Sequence, residues 1–92
     1  MSDPWLLIEV LDGEVPASGW RRAYGDVFYD AATADRAVRW SWRAHSRGVV
    51  LEIVFRTERI RDEFRSREPI KAALKAVPDP ENGLRIVSGG GD

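Results

Sequence analysis

The chain has 92 residues, 43% of them hydrophobic and 32% charged, and a formal net charge of −1, which leaves room for one small domain and no second core. That balance argues against a dedicated DNA or RNA binder, which carries a strong positive excess. The absence of cysteine excludes thiol catalysis, cysteine-ligated zinc and disulfides.

The opening MSDPWLLIEVL lacks a basic start, and its apolar run breaks at Glu9, so it does not read as a signal peptide. No run reaches the ~20 apolar residues that span a bilayer. A cytoplasmic location without membrane attachment is expected. WLLIEVL, residues 5–11, reads as a strand covered on both faces, because a half-exposed strand would alternate. Residues 12–19 read as loop. Trp20, Ala23, Tyr24, Val27, Phe28 and Ala31 then recur at helical spacing, with Ser18 placed to cap the first free N–H groups. Gly25 inside that helix costs roughly 1 kcal/mol relative to Ala.

Val38, Trp40, Trp42 and Ala44 alternate with Arg39, Ser41, Arg43 and His45, the period-two pattern of a strand with one apolar face. VVLEIVFR returns from the HSRG turn. If opposed residue numbers sum to 95, Trp42 lies beside Ile53, Trp40 beside Phe55, and Arg43 meets Glu52 on the opposite face. A slip of one residue turns every side chain over, so the apolar pattern selects 95 over 94. A four-residue loop, Ser46 to Val49, is preferred, because Arg47 fits poorly in a two-residue turn that needs positive φ.

Residues 57–77 read as helical, with Thr57 as N-cap and Ile60, Phe64, Ile70, Ala73, Leu74 and Val77 as the apolar face. Pro69 lacks an N–H and clashes with the preceding turn, so this second helix is expected to kink there. PDPENG is a turn, LRIV (84–87) a last strand, and 88–92 a disordered tail after a single domain, 1–87.

The order β-α-β-β-α-β is the ferredoxin-like arrangement, an α+β fold with a four-stranded antiparallel sheet and two helices on one face. The first and third strands are then central. With Leu51, Ile53 and Phe55 facing the helices, Trp40 and Trp42 face them too, whereas an RNA-recognition motif sets its aromatics on the open face. The open face instead gathers Trp5, Leu7, Leu11, Val50 and Val54, rimmed by Arg39 and Arg43. This composition suits an interface, and a homodimer through it is expected. The segment from VVLEIVF through TERIRDEFRSREPIKAALKAV to the closing strand, about residues 49–87, resembles the second half of dimeric α+β barrel proteins such as the antibiotic-biosynthesis-monooxygenase-like families. The resemblance implies two ferredoxin-like subunits packed sheet to sheet, with a small organic molecule held between sheet and helices. It places no catalytic residue.

Chemistry-bearing patterns are sparse. His45 is the one histidine and the catalytic candidate, although a lone turn histidine is normally just solvated. No metal-ligand spacing, phosphate loop or nucleophile elbow occurs, so no metal and no cofactor are expected. Trp20, Tyr24, Tyr29, Trp40 and Trp42 are the residues that could line a cleft between the first helix and the sheet, against the alternative that they are core. Two other functions compete with a small-molecule-binding homodimer. One is a non-enzymatic interaction module using the same sheet face; the other is nucleic-acid binding through Arg39, Arg43, Arg47 and Arg56.

Overall fold

A computed structural model describes residues 3–90. Seven elements follow one another: β1 (Trp5–Leu11), α1 (Ala17–Ala34), β2 (Arg39–His45), β3 (Gly48–Val54), α2 (Glu58–Ser66), α3 (Glu68–Lys75) and β4 (Leu84–Gly89). The strands form one antiparallel sheet in the order β2-β3-β1-β4. The three helices cover one face of it, completing the ferredoxin-like α+β fold that the order of elements implies.

β1 sits at the centre because of its side chains. Leu6, Ile8 and Val10 are almost wholly buried and meet the helices, while Trp5, Leu7, Glu9 and Leu11 alternate with them and stay partly exposed. The strand therefore has one covered and one half-open face within a single chain. The covered faces of β1 and β3 join Trp20, Phe28, Phe55, Phe64 and Ile70 in one core. Burying side chains of this size contributes about 1.5–3 kcal/mol each.

Three expectations from the sequence are corrected. The first concerns the start of α1. It begins at Ala17 behind Pro16, and Ser18 lies inside the helix with no capping bond. Asp12 does that work from five residues upstream, its Oδ1 accepting from the Ala17 N–H at 2.7 Å. The second concerns the middle hairpin, where Trp40 pairs with Ile53, Trp42 with Leu51, Ser41 with Glu52 and Arg43 with Val50. Opposed numbers sum to 93 rather than 95, so the faces stand as expected but the partners move by two, and Arg43 does not oppose Glu52. The loop is the two-residue turn Ser46-Arg47, and neither residue has a positive φ. The turn is held from outside: the Arg47 N–H donates to His45 Nδ1 at 3.1 Å, and the Arg47 carbonyl accepts from the Asp12 N–H at 2.7 Å.

The third correction falls at the C-terminal end. β4 continues through Ser88 to Gly89, where 88–92 reads as a disordered tail; Gly91 and Asp92 lie outside the described residues. Gly89 pairs with Trp5, and its bare Cα lies under the indole, so that a Cβ there would stand 2.6 Å from Trp5 Cζ2. The Arg61 guanidinium donates to the Gly89 carbonyl at 3.2 Å. Packing of a ring onto glycine, not local propensity, orders this segment.

The stretch 57–77 forms two helices. Thr57 caps α2, its Oγ1 accepting from the Ile60 N–H at 3.1 Å. The chain leaves the helix at Arg67 (φ −65°, ψ 134°) and restarts in α3 with Pro69 in its first turn, where a missing N–H costs nothing. Two long-range ties fix this pair onto α1. Trp20 Nε1 donates to the Ala73 carbonyl at 2.9 Å. Arg67 grips Asp35 with two guanidinium nitrogens, and these hydrogen bonds raise the Arg67 pKa above its ordinary value. The guanidinium stays charged throughout the pH range in which proteins fold.

Candidate functional site

The two tryptophans of β2 stand on the helix side of the sheet. Trp42 meets Trp20 and Phe28 edge to face, with ring centroids 6.0 and 5.9 Å away, and Trp40 meets Tyr29 at 5.7 Å. The outer sheet face thus carries no pair of indoles for bases to stack upon. β2 is an edge strand, however, so both indoles are only half-buried. Between them and α1 lies a groove of ≈ 500 Å³, lined by Ser18, Arg21, Arg22, Gly25, Asp26, Tyr29, Trp40 and Trp42. The Arg21 guanidinium carbon stands 4.9 Å from the Trp42 ring centre.

Of the five aromatic residues that the sequence offers for a cleft, the structure brings Tyr29, Trp40 and Trp42 to it. Trp20 is instead core, 4% exposed, with its N–H spent on Ala73. Tyr24 packs beside Trp20 at 6.3 Å, outside the groove lining. Sequence reasoning missed Arg21 and Arg22. The signal was available: Arg22, Asp26 and Tyr29 fall at i, i+4 and i+7 on the polar flank of α1, next to the stripe that meets β2.

His45 projects from the last position of β2 onto the outer face. Its Nε2 lies 3.2 Å from Glu9 Oε2, and its Nδ1 accepts from the Arg47 N–H. An accepting Nδ1 puts the proton of a neutral ring on Nε2, facing the carboxylate. Nδ1 is thereby engaged with the turn and Nε2 with Glu9 of β1. Glu9 and His45 belong to strands separated by β3, so their contact crosses that strand. Among the described residues, no group of three or more His, Asp or Glu is placed to hold a metal ion, and no helix is long and apolar enough to cross a membrane.

The outer face is ordered in rows across the sheet: Arg39, Val54, Trp5, Gly89; then Ser41, Glu52, Leu7, Val87; then Arg43, Val50, Glu9, Arg85. All seven residues expected at an interface, Trp5, Leu7, Leu11, Arg39, Arg43, Val50 and Val54, lie on it. Val54 is 6% exposed beneath its neighbours; Trp5, Leu7, Leu11 and Val50 are half-buried and Arg39 and Arg43 exposed.

Topology and packing define a small ferredoxin-like α+β domain. No protein-family model matches the chain, and no curated protein sequence does either. Among solved structures it is similar to the structure of Rv0793 from Mycobacterium tuberculosis, with a TM-score of 0.64 and 14% identity over 98% of this chain and 95% of that one. At that identity the likeness is one of fold.

Proposed function

We propose that the protein is a homodimer, joined through the outer faces of its sheets, that binds a small organic molecule between α1 and the edge strand β2. The observation that carries the reading is the uncovered sheet face, where Trp5, Leu7, Leu11, Val50, Val54 and Val87 form one apolar strip crossed by Glu9 and Glu52 and rimmed by arginines. A face with an apolar centre and a charged rim has the anatomy of an interface. It is also self-complementary. A two-fold axis through β3 lays Arg39 and Arg43 of each copy over β1 of the other, where Glu9 stands. The groove opens on the opposite side of the sheet, so the dimer leaves it accessible.

Sedimentation at tens of micromolar tests the assembly. A dimer is expected, and Leu7→Lys should weaken it at least tenfold. In the isolated subunit the new ammonium has Glu52 opposite on β3 and water above it, so the fold survives, whereas closing the interface strips that water, and a buried ion pair is less favourable there than a buried leucine. A wild-type chain that stays monomeric would remove the reading.

A further inference from the structure

The groove between α1 and β2 has a composition that selects its occupant. Its walls are three aromatic rings: Trp40 and Trp42 from the sheet, and Tyr29 from the helix. Its rim carries the guanidiniums of Arg21 and Arg22. Among the described residues neither is joined to a carboxylate, although Asp26 stands one turn beyond Arg22, and Arg21 instead lies over Trp42. A guanidinium over an indole is held in place while its N–H edge stays free, the arrangement that presents a planar fork to a carboxylate. Gly25 lies in the lining, and a Cβ built on it would meet no atom within 4 Å; the helix is bare where a ligand ring would lie. A volume of ≈ 500 Å³ falls within the range of small-molecule sites.

Resting on the small-molecule reading above, we infer that the ligand is a planar aromatic monocarboxylate whose ring lies between the indoles and α1 and whose carboxylate is taken by Arg21 and Arg22. The two arginines and Asp26 leave the lining with one net positive charge, which matches one carboxylate and disfavours a dianion. Asp26 can in addition accept a hydrogen bond from a hydroxyl or amino substituent.

The test uses naphthoate and its uncharged analogue naphthylmethanol as probes on the full chain, followed by the indole and arginine N–H resonances of Trp40, Trp42 and Arg21. Naphthoate is expected to shift these signals and to bind roughly tenfold or more tightly than the alcohol, the ratio that a charge-assisted hydrogen bond supplies. Arg21→Gln combined with Arg22→Gln should erase that preference, read as the ratio of acid to alcohol affinity within the one variant. Gly25→Leu, which fills the groove and improves the helix, should abolish binding of both. Equal affinity for acid and alcohol would overturn the carboxylate assignment and leave the groove as a binding site. Failure of both probes to move the indole signals would overturn the assignment together with the small-molecule reading.

Discussion

Arg36 is the one non-glycine residue among those described with a left-handed backbone, φ 52°. It follows Asp35 at the end of α1, where the Arg36 N–H donates to Thr33 O at 3.1 Å and the Ala37 N–H to Ala32 O at 3.0 Å. This is a Schellman closure with arginine at the position that glycine usually holds. A Cβ in that conformation is unfavourable by roughly 1–2 kcal/mol, part of which glycine would return as extra freedom of the unfolded chain. Arg36→Gly should therefore stabilise the domain by about 0.5–1 kcal/mol, seen as a rise of a few degrees in the thermal midpoint. Gly48 is the opposite case: an added Cβ would overlap the Val10 carbonyl oxygen on the neighbouring strand, and backbone in a central pairing cannot move aside. Gly48→Ala should destabilise by about 3 kcal/mol or more in urea unfolding.

Between elements, the tie from α1 to α3 runs through one indole. Trp20→Phe keeps most of the ring but deletes the donor to Ala73 and opens a small void. The expected loss is about 2 kcal/mol, combining a buried hydrogen bond and missing volume, and an equilibrium denaturation curve would register it. What the elements disclosed in advance follows from the same division between near and far. Alternation in residues 38–45 told which face of β2 turns inward, because one face is apolar. It could not tell Trp42–Ile53 from Trp42–Leu51, since a shift of two keeps every side chain on its face. The observed register goes with the bond from the Asp12 N–H to the Arg47 carbonyl, which arrives from the end of β1 and which no local pattern contains. Ser88 and Gly89 looked like tail for the same reason: the ring that orders them arrives from Trp5. The groove was half legible. Its two tryptophans advertise themselves by type, whereas Arg21 and Arg22 look like any solvated helix face until the sheet edge comes alongside.

At the scale of the whole molecule, the outer face decides how much of the chain's stability is its own. An axis through β3 overlays three strands of each copy; three strands at ~4.8 Å and seven residues at ~3.3 Å give roughly 330 Å² in projection, about two-fifths of the ~800 Å² that each partner contributes to a standard interface. For the proposed dimer, association through this face alone is then moderate. Mass action makes it visible in folding, because a dimer that exists only when folded melts later at higher concentration. Raising the protein concentration a hundredfold should lift the thermal midpoint by several degrees in the wild-type chain and leave it unmoved in Leu7→Lys. A midpoint independent of concentration in both would count against the dimer.

The contact between His45 and Glu9 also bears on how the domain breathes. Because the imidazole of β2 reaches across β3 to the carboxylate of β1, the hairpin at the sheet's edge is latched to the middle strand as well as to its neighbour. Edge strands are ordinarily the first to peel away and exchange their amide hydrogens. Here the turn end of β2 opens only when its clasp on the centre lets go, so fraying should begin at the far end of that strand, near Arg39, and run toward the turn.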